Sequence, residues 1–339
     1  MDIQTVTDIK GLLLPSWWKR PWSPELAGKI FKWRFLDVPG GEALLAYDGD
    51  RCIAMVASYT RPYVSGNRTL AVRECYDWFC LPEYRHSGVG VVLLRKLMNE
   101  PEPILTIGGT NDARALLRIL GWKRLPDLSD YTLPLTANWL VNKMRGLLRL
   151  PLPSSRWENP FRLPWPRLWL ERSRAPGCSV VNPLQELSTI VPAGSAYELL
   201  PLVRKLEVRW LYQAPECMGR FFGLLFSENT KPMGFSLGRI HFDGRLNRAL
   251  LIHVQASSPS VELYAAMLAQ TIVHARDQGA DIADCRASCP LMRAALSSLG
   301  FRESAIIPSY WWSKGVDLPT GTIHLMSLHA DLPFLTGDV

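Results

Sequence analysis

Apolar residues in the first third of the chain alternate with polar ones in short runs, punctuated by turn residues and by two stretches of helical period. Ala43–Tyr47 and Cys52–Tyr59 read as strands joined through Gly49-Asp50, a hairpin. Leu70–Leu81 follows as a long strand. Val89–Asn99 reads as a helix, apolar at 89, 91 to 94, 97 and 98 and stopped by Pro101. Ile104–Ile107 is a further strand, and Asp112–Leu120 is a helix ending at Gly121, a residue free to take positive φ. Tyr131–Leu135 is a last strand, and a helical region precedes the first. Strands alternating with helices around one hairpin predict an α/β domain with a mixed sheet.

The pattern occurs twice. Trp33-Arg34-Phe35-Leu36-Asp37-Val38-Pro39 resembles Trp210-Leu211-Tyr212-Gln213-Ala214-Pro215. Gly49-Asp50-Arg51-Cys52-Ile53-Ala54-Met55 parallels Asn229-Thr230-Lys231-Pro232-Met233-Gly234-Phe235. Arg114-x-x-Leu117-x-x-Leu120-Gly121-Trp122 matches Arg293-x-x-Leu296-x-x-Leu299-Gly300-Phe301, and the same shift sets Tyr131 against Tyr310. Shifts of 177, 180 and 179 residues, in order, point to a duplicated domain. The expected organisation is a first domain over 1–136, a linker over 137–176 and a second domain over 177–339.

Composition sharpens this in two places. With 339 residues, 47% hydrophobic and 20% charged, the chain has enough apolar matter for two cores and is not a disordered protein. The net charge of +7 is concentrated: Trp139–Arg174 holds eight basic residues against two acidic ones, with four tryptophans and five prolines. That stretch reads as a linker whose tryptophans and leucines pack along the domains, or as a peripheral membrane-surface patch. One short basic segment without a recognition motif leaves nucleic acid unexpected as a partner. No apolar run approaches the roughly 18 residues of a membrane span, and the N-terminus lacks signal-peptide character. The seven cysteines form no C-x-x-C pair, and Cys285-x-x-x-Cys289 lacks two further ligands, so reduced thiols and no metal are expected. The expected location is cytoplasmic, with peripheral contact at the inner membrane surface through 139–174.

The segment richest in chemistry is Cys80-Leu81-Pro82-Glu83-Tyr84-Arg85-His86-Ser87-Gly88-Val89-Gly90, between a predicted strand and a predicted helix. Gly88 and Gly90 let backbone N–H groups approach a ligand, the helix directs its positive end there, and Arg85 adds charge: a phosphate site. It is neither a Walker loop nor a dinucleotide G-x-G-x-x-G. Here the sequence resembles the GNAT superfamily of acyl-CoA-dependent N-acyltransferases. Arg85-x-x-Gly88-x-Gly90 matches that family's pyrophosphate motif. Asn111 with Leu117, Gly121 and Trp122 resembles its Asn-x-x-Ala-x-x-Leu-Tyr-x-x-x-Gly-Phe signature. The resemblance covers about residues 30–135 with motifs and 205–312 more faintly. It implies two tandem GNAT-like domains, each a mixed, mostly antiparallel sheet flanked by helices. It further implies that Arg85, His86, Ser87, Gly88, Val89, Gly90 and Val91 grip the diphosphate of acetyl-CoA or another acyl-CoA. Phe79, Cys80 and Leu81 would pair with pantetheine, with Asn111 beside it. Arg118 and Ser297 stand where the family often has a tyrosine acid, and Arg114 replaces the signature alanine. Ser260–Gln270, aligned with the glycine turn, contains no glycine, so the second copy is not expected to bind coenzyme A in the same way.

Acyl transfer to an amine needs a base, a polarised thioester and a proton for the leaving thiolate. Glu74 matches a position where some GNAT enzymes carry the base. By alternation it shares a face with Tyr76, Trp78 and Cys80, where burial would raise its pKa. Asp77, on the opposite face, competes with it, and Arg73 is a ready partner for either. Tyr131 is the candidate acid, although Tyr310 in the same place of the second copy argues equally for structure. His86 reads as a polar turn residue, and His241, His253 and His274 as structural. The expected activity is N-acylation, most simply acetylation, of a small-molecule amine such as an amino sugar of a bacterial polysaccharide or envelope pathway. Two readings stay open beside it: a Fem-type peptidyl transferase, against which the intact Arg85–Gly90 turn argues, and a non-catalytic interaction protein on the same fold.

Overall fold

A computed structural model describes residues 2–6, 14–15, 23–66, 68–140, 144, 177–180 and 197–327. Nearly all of the basic 139–174 stretch, with its expected membrane contact, therefore lies outside the described residues.

The first half runs β1 (Asp2–Val6), α1 (Pro24–Phe31), a wide π-type turn (Lys32–Leu36), β2 (Gly41–Asp48), β3 (Arg51–Ser65) and β4 (Arg68–Cys80). A tight turn over Pro82–Ser87 leads into α2 (Val89–Met98), β5 (Ile104–Ile107), α3 (Asn111–Ile119) and β6 (Lys123–Pro134). The second half runs β7 (Gly177–Val180), β8 (Leu200–Pro201), α4 (Lys205–Tyr212), β9 (Arg220–Glu228), β10 (Lys231–Phe242) and β11 (Asn247–Ala256). It closes with α5 (Val261–Asp277), β12 (Ile282–Ala287), α6 (Pro290–Ser298) and β13 (Arg302–Trp312). Helix starts follow local chemistry. Ser23 accepts from the Leu26 amide with Pro24 in the first turn of α1, and Thr110 and Ser260 cap α3 and α5 likewise.

Among the described residues the strands form one sheet, ordered β1-β2-β3-β4-β5-β13-β6-β12-β11-β10-β9-β7, with β8 on β3. Each half contributes an antiparallel set and one parallel pair, β4 with β5 and β11 with β12. The expected α/β fold with a mixed sheet flanked by helices is what the chain adopts. The last strands depart from expectation: each lies in the other half. β13 pairs with β5, Trp312 opposite Ile104, while β6 pairs with β12, Pro134 opposite Ile282. The repeat explains this, because two equivalent strands satisfy either parallel edge equally well, as in domain swapping. β6 and β13 also pair with each other, antiparallel, with Leu128 opposite Ile307. Those residues are one repeat apart, so a pseudo-two-fold axis passes between them.

A second contact on that axis joins the repeat partners Trp33 and Trp210. Each indole Nε1 donates to the other residue's carbonyl, at 2.9 and 2.6 Å, and the rings stack at 5.0 Å. Around this pair, α1 and strands β2 and β3 share one core with α4, β10 and β11, through Phe35, Met55, Phe235 and Ile252. On the opposite face α2 buries Leu93, Leu94 and Leu97 against Ile53 and Val56, with Tyr310 in the same core. Helices α5 and α6 cover the second half, where Tyr131 is buried.

Candidate active site

Strands β4 and β5 pair only over Arg73–Cys75 and Ile104–Thr106. β4 then continues to Cys80 while β5 turns away through Gly108 and Gly109, both at positive φ, into the cap of α3. The two strands part, and their ladder ends at Cys75 and Thr106. A gap between parting strands can admit an extended ligand along the sheet.

A bulge lies beside this opening. The β3–β4 register slips so that Ala57 faces Tyr76 while Met55 faces Phe79, and Asp77 takes φ 49°. A non-glycine residue there costs about 1 kcal/mol or more, and an ion pair holds it in place: Arg34 Nη2 lies 2.7 Å from Asp77 Oδ2, with Arg34 only 2% exposed. Burial raises the Asp77 pKa, and Arg34 opposes that shift. The Arg34 guanidinium also sits over the Tyr76 ring at 5.8 Å, and Tyr76 donates its hydroxyl to the Arg34 carbonyl. The bulge also corrects the expected alternation. One extra residue reverses the faces, so Trp78 points to α2 instead of sharing the Glu74 face.

The glycine turn closes the mouth of the opening. Leu81 N–H donates to the Ile53 carbonyl at 2.9 Å, ending β4. Arg85, His86 and Ser87 are exposed; Ser87 Oγ donates to the Tyr84 carbonyl, and Arg85 Nε reaches the Cys80 carbonyl at 3.5 Å. Gly88 has φ 78° and open space where a Cβ would stand. Gly90 has another job. Trp78 Nε1 donates to its carbonyl at 2.9 Å and would lie 3.2 Å from an added Cβ, so Gly90 lets α2 sit close on the bulged strand. Cys80 is half-buried, which pushes its thiol pKa up. The first amides of α2, around Gly90 and Val91, lack partners within the helix and face the same end of the sheet; Val89 is buried beneath them. Phe79, Cys80 and Leu81 lie on the β4 side of the opening, and exposed Asn111 begins α3 on the β5 side.

Two expected catalytic side chains are engaged in other networks. Glu74, 3% exposed, accepts from Tyr59 and from Tyr63 (2.7 Å) and pairs with fully buried Arg61 at 3.5 Å. Burial alone would lower the Arg61 pKa; Glu74, then Tyr59 and Glu207, raise it above the ordinary arginine value. Glu74 is thus enclosed in a charge cluster, and Arg73 pairs instead with Glu42 and Glu102. Tyr131 is carried off by the strand exchange. β5 and β13 separate its strand from β4, at least about 14 Å at sheet spacing. Its hydroxyl accepts from Arg293 Nε at 3.0 Å within the second half's core.

Among the described residues the second half has no equivalent opening. β11 and β12 pair over Arg248–Leu251 and Ile282–Cys285, and the chain's own segment 323–327 fills the space beyond. Met326 bridges Ala287, Leu325 exchanges bonds with Ser288, and His324 Nε2 donates to the Val254 carbonyl at 2.9 Å. At the start of α5, Ser260 Oγ accepts from the Leu263 amide.

Arg34, Trp78 and the Gly108-Gly109 pair are part of the candidate site that the sequence alone does not single out. The two adjacent glycines after a strand were a usable signal, while Arg34 looks like any charged residue on a helix. Among the described residues no group of three or more His, Cys, Asp or Glu side chains is placed to hold a metal ion.

Residues 6–102 match the family model described as the acetyltransferase (GNAT) family. The fold is shared more widely. A GCN5-related N-acetyltransferase from Anabaena variabilis superposes with a TM-score of 0.58 at 11% identity, over 91% of this chain and 72% of that one. Saccharomyces cerevisiae N-myristoyltransferase with bound myristoyl-CoA gives a TM-score of 0.54 at 12% identity, over 87% and 77%. A probable N-acyltransferase from Enterococcus faecalis gives 0.55 at 12%, over 91% and 71%. No curated protein sequence matches the chain. The first half is thus similar to the acetyltransferase (GNAT) family over 6–102, and the chain as a whole shares its fold with these acyltransferases.

Proposed function

We propose that the protein is an acyl-CoA-dependent N-acyltransferase whose coenzyme A site is the opening between β4 and β5. The observation that carries this reading is the parting of those strands after Cys75 and Thr106, at the N-terminus of α2. A pantetheine arm is an extended chain with two amides, suited to the gap beside Phe79–Leu81. The diphosphate would lie on the Arg85–Val91 turn, where Gly88 leaves room, with Asn111 across the mouth. The thioester then sits by the bulge. The acceptor nitrogen attacks the carbonyl carbon, the C–S bond breaks as the amide forms, and the proton lost by nitrogen balances that gained by the thiolate. Asp77, held by Arg34, is the carboxylate we place nearest this end; Glu74 we assign to structure.

The second half supports the division of labour, because its corresponding space is filled by residues 323–327 and its helix cap by Ser260. We keep 1–136 and 177–339 as the duplicated units. The acceptor we propose is a small amine, an amino sugar among the candidates, and 139–174 a peripheral membrane contact. Among the described residues no helix is long and apolar enough to cross a membrane. Calorimetry with acetyl-, octanoyl- and myristoyl-CoA tests the reading: one of them binds, and Gly88→Trp abolishes binding. No binding of any acyl-CoA would overturn it and favour an interaction protein.

A further inference from the structure

The two glycines of the turn before α2 are glycine for different reasons. An added Cβ at Gly88 would meet nothing within 4 Å, so that side of the turn is open. At Gly90, the second residue of α2, the same atom would point into the protein, 3.2 Å from Trp78 Nε1 and 3.7 Å from Cys80 Cβ. The first of these is closer than the roughly 3.5–4.0 Å of ordinary carbon contact. β4 also holds both backbone groups of Gly90. Trp78 Nε1 donates to its carbonyl at 2.9 Å, and its N–H faces the Cys80 sulfur.

Trp78 and Cys80 reach α2 because of the bulge. They are two residues apart and share a face. With Cys75 they belong to the core on the α2 side, whereas Tyr76 packs in the core shared by the two halves. Strict alternation from Cys75 would turn Trp78 to the Tyr76 face; the extra residue, Asp77 at φ 49°, prevents this. Asp77 is in turn held by Arg34, whose Nη2 lies 2.7 Å from its Oδ2. At the other end, the N-cap of α2 is Gly88, which has no side chain with which to fix the first turn. The Trp78 indole fixes it from the strand.

We propose that Trp78 is a positioning residue for the diphosphate of the acyl-CoA: its indole N–H sets how far the first turn of α2 stands from the sheet, and position 90 is glycine to admit Trp78, not the ligand. This role rests on the acyl-transfer reading and deepens it. One side chain joins the two ends of the donor site, the bulge beside the thioester and the turn beneath the diphosphate. The Arg34–Asp77 ion pair thereby acts on donor binding through Trp78.

Calorimetry of the full chain with acetyl-CoA tests this with Trp78→Phe, Gly90→Ala and the double variant, and melting curves confirm that each is folded. Trp78→Phe removes the donor and should weaken binding at least about fivefold, the worth of one hydrogen bond. Gly90→Ala sets a methyl group against the indole and should weaken binding by a similar factor. In the double variant that methyl group has no Nε1 to meet, so the loss should stay within about twofold of Trp78→Phe alone. Independent losses that multiply to about twenty-fivefold would show that position 90 answers to the ligand, and they overturn the proposal. Full affinity in Trp78→Phe overturns it too. If Trp78→Phe fails to fold, Trp78→Leu takes its place in the cycle. The indole N–H resonance that this substitution removes should shift when acetyl-CoA is added to the wild type, and an unmoved resonance counts as refutation. Failure of the wild type to bind acetyl-, octanoyl- or myristoyl-CoA overturns the acyl-transfer reading itself, and the role of Trp78 with it.

Discussion

Glu74→Gln separates a structural carboxylate from a catalytic one, and the structure sets the size of the effect. The substitution keeps the shape and removes the charge opposite Arg61, a guanidinium with no exposed surface. Removing one partner of a buried ion pair costs about 3–5 kcal/mol, because the remaining charge stays in low dielectric. Tyr59 and Tyr63 each donate to a separate Glu74 oxygen. Glutamine offers one oxygen and one NH2, so one hydroxyl must turn away or lose its bond, a further cost of about 1 kcal/mol. A total near 5 kcal/mol is a large share of the 5–15 kcal/mol by which such folds are stable. It should lower the melting temperature by on the order of 10 °C. Urea denaturation of the wild type, Glu74→Gln, Arg61→Met and the double variant measures this. The double variant should recover more than half of the single-variant loss, since neither charge is then left alone. A Glu74→Gln protein within about 1 kcal/mol of wild type, but without turnover, would refute the reasoning and return Glu74 to the mechanism.

Other outcomes follow from the same geometry. Gly88→Val places a side chain at φ 78° and over the open face of the turn. Calorimetry should show acetyl-CoA affinity reduced at least about tenfold, equivalent to 1.4 kcal/mol, and unchanged affinity would remove the turn from the site. Trp33→Ala and Trp210→Ala should each cost about 3–5 kcal/mol in urea unfolding. The double variant should cost less than the sum because the two indoles bond each other. His241, pushed down to about 3 by burial, then Arg239, with Asp243 opposing and Arg248 adding, titrates above that value only when unfolded. The unfolded chain therefore binds a proton that the native state refuses, and stability falls as pH drops through about 6.5 toward about 3, by about 2 kcal/mol between pH 7 and 5. His241→Phe should flatten that part of the urea-midpoint profile. Flotation with anionic and neutral liposomes tests residues 139–174, and equal recovery would leave them a linker.

Much of this was legible in the residues, and what was hidden has physical causes. The glycine turn could be read because Gly88 and Gly90 follow a strand and open a helix, two periodicities meeting at one junction. Helices α2 and α3 and strand β5 followed from apolar spacing and from Pro101 and Gly121. The duplication was visible, but not which copy of the last strand pairs where: Lys123–Pro134 and Arg302–Trp312 fit the same neighbours, and only three-dimensional closure chooses. The bulge at Asp77 was hidden because it inserts no glycine. It moved Trp78 off the Glu74 face, and with it the expected catalytic alignment. Arg61 and Arg34 were invisible as partners because the residues that enclose them, Glu74 and Asp77, lie on another strand.

The exchanged strands make the two halves obligate co-folders. A fragment ending near residue 140 would carry β6 with no β12 beside it and would leave β5 without β13. Each fragment therefore exposes a strand edge that the other was built to cover. Cutting the chain between 140 and 177 should leave a nicked protein that stays together without its covalent link, whereas fragments made separately should be insoluble until mixed. Pairing residues one repeat apart also delays closure of the central sheet until most of the chain is present. Duplication has thus produced one cooperative object, in which neither half can be inherited, expressed or lost independently of the other.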